Sequence, residues 1–163
     1  MGLIIPAGID AIRLTYGDAR AALDHDGEMS PALEVAWRKK ILAPLKLPRP
    51  IPLRTGKTLS TIWVHAKVAQ VFGAAFRAID DAGHWPLLVT FDGCYAFRAK
   101  RGLDKLSTHC WGIAVDLNAA TNRLGATPTI RSEIVAAFEV QGCRWGGRWR
   151  RPDGMHFQAC TGY

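Results

Sequence analysis

No apolar stretch of this chain approaches the roughly 20 residues that a helix needs to cross a bilayer, which excludes a helical membrane span. The opening MGLIIPAGID lacks a basic leader, and Pro6, Gly8 and Asp10 interrupt its apolar run, so the expectation is a chain that encodes no export signal. No C-x-x-C pair is present. Cys94, Cys110, Cys143 and Cys160 are widely spaced, and without a secretory signal they are expected to be reduced, structural thiols rather than a disulfide framework. Internal repeats are absent, and no compositional bias points to disorder or a collagen-like chain.

What is present suits one domain, or one domain carrying an N-terminal extension, in 163 residues. A chain of this length buries about 70% of its unfolded surface, enough for a core without disulfide staples. The net charge of +7 would attract polyanions such as nucleic acid, anionic lipid or an acidic cell envelope. Arg144, Arg148, Arg150 and Arg151 alternate with Trp145 and Trp149, a mixture that can grip single-stranded nucleic acid. No nucleic-acid motif accompanies the cluster and two glycines divide it, so a solvated, substrate-facing loop is expected there and no obligate nucleic-acid partner.

Residues 1–55 read as an extension or outer layer, and residues 56–163 as the main domain. A short helix is expected over 18–23, and Ser30-Pro31 reads as the start of a helix running to about residue 42. Four prolines between Pro44 and Pro52 mark an extended connector. From 61 to 82 the apolar residues recur at mostly helical spacing, with Gly83 as the stop. Strands are expected over 87–91, 112–117 and 155–159, and a further helix over 132–141. Helices and strands mix without a βαβ rhythm, so the fold class is α+β, a small antiparallel sheet with flanking helices.

Two segments carry chemistry: Ser107-Thr108-His109-Cys110-Trp111-Gly112-Ile113-Ala114-Val115-Asp116 and Asp153-Gly154-Met155-His156-Phe157. Together they offer two imidazoles and two carboxylates, ligand types that suit zinc. A catalytic zinc site has three protein ligands and an open position, a specification that His109, Asp116 and His156 fill. Asp153, just before the last strand, stands where a general base could reach a water molecule. Taken singly, each group has an ordinary reading: a surface or core histidine, or an aspartate capping a turn. Their combination distinguishes them from His25, His65 and His84.

The pattern Ser-x-His-x-x-Gly-x-Ala-x-Asp, followed some forty residues later by Asp-x-x-His, resembles the M15 family of zinc peptidases. That family includes D-alanyl-D-alanine carboxypeptidases and phage L-alanyl-D-glutamate endolysins. Asp153, where the other form has glutamate, is similar to the endolysin version, and Gly146-Gly147-Arg148-Trp149 resembles the Gly-Gly-x-Trp of these enzymes. The likeness runs from about residue 58 to 158. It implies a DD-peptidase/hedgehog-like fold with the zinc site on the sheet. It also implies an arginine upstream of the first motif that stabilises the oxyanion: Arg98, with Arg101 as the substitute. Ser107 orients a ligand or touches substrate; Trp149, like Trp111, either walls the cleft or packs in the core. Gly112 is expected to permit close backbone approach beside the metal. Asn118 and Asn122 read as turn residues.

The function so implied is hydrolysis of a peptidoglycan stem peptide with one Zn2+ ion. An L-alanyl-D-glutamate endopeptidase is expected first, and a D-alanyl-D-alanine carboxypeptidase is the alternative. A non-catalytic, zinc-containing wall-binding domain is the more distant reading. The chain is expected to be monomeric, made in the cytoplasm and released to the cell wall as a phage or prophage lysin.

Overall fold

The computed structural model describes residues 3–100 and 105–163, which form an α+β fold. In chain order the regular elements begin with α1 (Gly8–Tyr16), α2 (Pro31–Ile41), β1 (Leu42–Pro52) and β2 (Thr58–His65). They continue with α3 (Ala69–Asp81), β3 (Phe91–Gly93), β4 (Ala114–Leu117), α4 (Ser132–Val140), β5 (Arg144–Trp145) and β6 (His156–Gln158). β1 and β2 make an antiparallel hairpin, and the second sheet runs β3-β4-β6-β5, antiparallel throughout.

Several expected boundaries move. The connector expected over residues 44–52 is strand β1: Leu45, Leu47 and Ile51 turn inward while prolines occupy positions 44, 48, 50 and 52. A two-stranded sheet leaves an open edge on each strand, where the missing proline N–H groups cost little. The helix expected from residue 61 starts only at Ala69, because Thr58–His65 pairs with β1 and buries Ile62 and Val64 at a period of two. The strand expected over 87–91 is displaced: Trp85–Leu87 is a 3-10 turn and pairing begins at Phe91. The short helix expected over 18–23 is a 3-10 turn, Ala19–Ala22, capped by the Asp18 side chain. Helix α1 lies in a stretch to which the sequence patterns assign no element.

Helix α3 packs on the inner face of the hairpin; a Cβ at Gly73 would lie 3.2 Å from Leu45 Cδ1. Phe138 of α4 meets Phe72 and Phe76 of α3 edge-on and stacks on Phe157 of β6 at 4.7 Å between ring centres. These aromatic contacts hold the back of the second sheet. Residues preceding position 55 share this core. Ile12, Tyr16, Ala19, Ala22 and Trp37 are buried, Tyr16 donates to Ala159 O at 2.8 Å, and Trp37 Nε1 donates to Cys110 O at 2.8 Å. All four cysteines are buried and free. Burial pushes each thiol up, to about 12 for Cys143 and Cys160, which disfavours the reactive thiolate.

Candidate metal centre

β4 and β6 pair with Asp116 directly opposite His156, and Ala114 opposite Gln158. Alternation along each strand therefore puts Asp116, His156 and Gln158 on one face, while Val115 and Phe157 point into the core. His109 arrives from a 3-10 turn, Thr108–Trp111, whose N-cap Ser107 accepts from His109 N at 3.4 Å. Gly112 ends the turn with φ +64 and its N–H bonds back to His109 O at 3.0 Å.

The close approach expected of Gly112 is real, but its neighbour is the hairpin rather than the metal site. A Cβ there would come 2.6 Å from Leu42 Cδ2 and 3.1 Å from His65 N, whose N–H donates to Gly112 O at 2.8 Å.

Three donor atoms converge. His109 Nε2 and His156 Nδ1 are 3.2 Å apart, and Asp116 Oδ1 is 3.3 Å from the first and 3.0 Å from the second. Donors 2.0–2.1 Å from a tetrahedral zinc ion are separated by about 3.3 Å, so the triangle has the span of a zinc site. Among the described residues, His109, Asp116 and His156 form the buried group of this kind; Asp24, His25 and Asp26 are exposed.

The outer nitrogens fix which lone pairs face inward. His109 Nδ1 lies 2.5 Å from Cys94 O, and a carbonyl can only accept, so Nδ1 carries the proton. Gln158 Nε2 donates to Cys160 O at 3.2 Å, which turns Gln158 Oε1 toward His156 Nε2 at 3.0 Å. That nitrogen is thus the donor, and Thr108 Oγ1 donates to the same amide oxygen at 3.3 Å. In their neutral forms His109 and His156 would therefore present lone pairs toward a carboxylate oxygen. Such an arrangement repels itself unless a cation or proton lies between, and it fits a divalent metal.

Burial would push the Asp116 carboxyl up, but hydrogen bonds and positive charge from His109 and His156 hold it well below the usual carboxylate range. For His156, burial opposes protonation, yet the hydrogen bond and charge of Asp116, the charge of Asp153 and the Gln158 contact outweigh it and raise its pKa. The cluster is electrostatically built for positive charge. The two imidazoles are buried, while Asp116 keeps 16% of its side chain exposed and so marks the solvent side.

Asp153 belongs to a tight reverse turn: its N–H donates to Gly146 O at 2.9 Å and its carbonyl accepts from His156 N at 3.1 Å. A Cβ at Gly146 would meet Asp153 O at 2.7 Å, which explains a glycine in the Gly146-Gly147 pair. Trp145 Nε1 holds Gly154 O at 2.9 Å. Asn122 accepts from Thr129 and Ile130 N–H through Oδ1, while its carbonyl accepts from Met155 N. Asn118 (φ +54) accepts from Val89 and Thr90 N–H. These two asparagines, expected to be turn residues, tie the loops flanking the site together.

The Trp149 ring, 39% exposed, lies 5.4 Å from the His156 ring. Arg148 pairs with Glu139 and sits over Trp145, so part of the Arg/Trp cluster is internally neutralised. Arg98 is exposed; its backbone N–H and carbonyl both engage Cys110 Sγ, which fastens its loop to the His109 turn. Its guanidinium reaches Ala99 O at 3.5 Å and lines a cleft of about 780 Å³ with Phe97, Trp111 and Tyr163, among whose lining residues none of the three converging groups occurs. Arg101 lies outside the described residues.

Residue spacing had not pointed to the orienting partners Thr108, Gln158 and the Cys94 carbonyl. Gln158 carried a signal, since it stands two residues from His156 on the same strand face.

Residues 101–159 match the M15 peptidase family model described as D-alanyl-D-alanine carboxypeptidase. No curated protein and no solved structure matches the chain.

Proposed function

We propose, from the M15 membership that the match over residues 101–159 supports, that this chain is a zinc-dependent peptidase cutting peptidoglycan stem peptides. The observation that carries the reading is the convergence of His109 Nε2, Asp116 Oδ1 and His156 Nδ1, with both outer imidazole nitrogens held by oxygen acceptors. These three residues would hold one Zn2+ ion in a DD-peptidase/hedgehog-like fold. When bound, zinc supplies a Lewis acid and lowers the pKa of water from 15.7 to about 7.

Asp153 acts as general base. It takes a proton from the attacking water and delivers it to the leaving amine nitrogen. Its place in the Gly146–His156 turn, and its charge coupling to His156, support this role. The developing oxyanion is met by Arg98, through rotation of its exposed side chain from the loop that the Cys110 thiol anchors, or by Arg101. Ser107 acts by fixing the His109 turn. Trp149, half-exposed beside His156, offers a wall for the substrate.

The bond assigned is L-alanyl-D-glutamate, supported by the aspartate before the last ligand, as in the endolysin form of the motif. The chain would work as a monomeric lysin of phage or prophage type at the cell wall. Mass spectrometry of defined muropeptides tests the bond: release of free D-alanine alone overturns the endopeptidase assignment in favour of a carboxypeptidase. Asp153→Ala tests the base: retained zinc with activity reduced about 10²–10⁴-fold is expected, and unchanged lysis removes Asp153 from the mechanism.

A further inference from the structure

The excess positive charge of this protein is concentrated in one segment, outside the residues of the candidate metal centre. Residues 38–67 contain eight lysines and arginines and no aspartate or glutamate; the rest of the chain carries 13 basic residues against 14 acidic ones. This segment is the end of α2, the β1–β2 hairpin and the turn after it.

Three of the eight are engaged: Arg38 pairs with Glu34, Arg49 with Asp80, and Lys67 donates to Thr15 O. Lys39, Lys40, Lys46, Arg54 and Lys57 are exposed, and among the described residues none has a carboxylate within ion-pair distance. Lys39 and Lys40 stand on the last turn of α2 at the base of the hairpin, Lys46 lies in β1, and Arg54 and Lys57 lie in the turn at the tip. An 11-residue strand gives that ridge a length of roughly 35 Å.

The face is not purely ionic. Pro44 pairs with Trp63 and Lys46 with Thr61, so these four side chains share the surface opposite α3. Trp63 is 57% exposed on a strand whose neighbours Ile62 and Val64 are buried. Lysine and proline also discourage edge-to-edge strand pairing, but charge of either sign would serve that purpose. An exposed indole does not serve it, and neither does the complete exclusion of carboxylates. A flat aromatic flanked by uncompensated cations fits a polymer that presents sugar faces and anionic groups together.

We infer that the outer face of the β1–β2 hairpin, with Trp63 at its centre and Lys46 beside it, extended by Lys39 and Lys40 of α2 at its base and by Arg54 and Lys57 at its tip, is a second, non-catalytic binding surface for peptidoglycan, stacking on its sugars and pairing with its stem-peptide carboxylates. This rests on the proposed function and adds to it a means of holding the polymer while the metal centre cuts. The hairpin is joined directly to the catalytic turn through His65 N–H to Gly112 O. Polymer held on the ridge therefore stays close to the site and raises the local concentration of scissile bonds.

The test compares full-length protein with Lys46→Gln/Arg54→Gln/Lys57→Gln and with Trp63→Ser. Binding is read by co-sedimentation with purified sacculi on ice across a NaCl titration, using sacculi stripped of phosphate-containing polymers. Cleavage is read separately on a soluble muropeptide. The triple variant should bind sacculi about tenfold more weakly, with a shallower salt dependence, while its kcat/KM on the soluble muropeptide stays within about twofold. Trp63→Ser should weaken binding without changing the salt slope.

Unchanged co-sedimentation of both variants overturns the inference. So does binding that disappears when the phosphate polymers are stripped, or a preference for anionic vesicles or DNA over sacculi. Lys46→Arg should bind like the wild type, and a loss there equal to that of the triple variant would mean damage to the fold and would also overturn it. If no muropeptide is cleaved by any form, yet the triple variant still loses sacculus binding, the docking surface stands and the peptidase reading fails.

Discussion

Replacing Gln158 with leucine removes the acceptor that fixes His156 without touching the three converging donors. In the native site, Gln158 Oε1 accepts a hydrogen bond from His156 Nε2–H at 3.0 Å, which leaves Nδ1 free to face Asp116. With leucine, that N–H retains only Thr108 Oγ1 at 3.4 Å, a long contact to a hydroxyl whose own acceptor has gone. The imidazole then gains by moving its proton to Nδ1, where Asp116 Oδ1 accepts it at 3.0 Å and the inward lone pair is lost. Loss of such an orienting partner costs metal affinity about 10–100-fold, or roughly 1.4–2.7 kcal/mol. A buried Nε2 left with that one long contact adds a folding cost of about 1–3 kcal/mol to the metal-free protein. Zinc affinity is measured by competition against a chromophoric chelator, and the stability of the metal-free form by thermal melting. A leucine variant with zinc affinity within twofold of wild type, whatever its melting temperature, would refute the tautomer argument.

Gly112→Ala places a side chain at φ +64 and drives a methyl toward Leu42 Cδ2 and His65 N. A loss of roughly 2–3 kcal/mol is expected, lowering Tm by about 4–12 °C, and an unchanged Tm would contradict the hairpin contact. Buried His65 is satisfied as the neutral ring, accepting from Lys67 N–H at Nδ1 and donating to Tyr16 O at Nε2; burial pushes its pKa down. The folded pKa is depressed below the unfolded value, so the associated stability is complete above about pH 6.5 and is lost as pH falls toward the folded pKa. Melting temperatures measured from neutral to mildly acidic pH should fall more steeply for wild type than for His65→Asn, and parallel curves would remove His65 as the cause.

Local chemistry was enough to single out the donors. His109 and Asp116 stand seven residues apart across a glycine, and Asp153 precedes His156 by three, a grouping visible without coordinates. Helix α4 and strands β4 and β6 were legible too, because their apolar periods are uninterrupted and their stops are local: Gly142 after α4, Asn118 after β4. The exchange of strand for helix over 58–65 was not legible. Ile62, Val64 and Val68 fit a helical stripe as easily as an alternating one, and only pairing with β1, a partner supplied by tertiary contact, decides between them. The same dependence hides β1 itself, whose prolines read as a connector until an open sheet edge accommodates them.

Sequence alone determined which residues could bind a metal, since ligand type and spacing are properties of the chain. Tertiary structure alone decided how they are presented. The register that sets Asp116 against His156 and the Cys94 carbonyl that directs the His109 ring both join residues distant along the backbone. Hydrogen bonds and charge act through space, so no local pattern in the sequence could have displayed them.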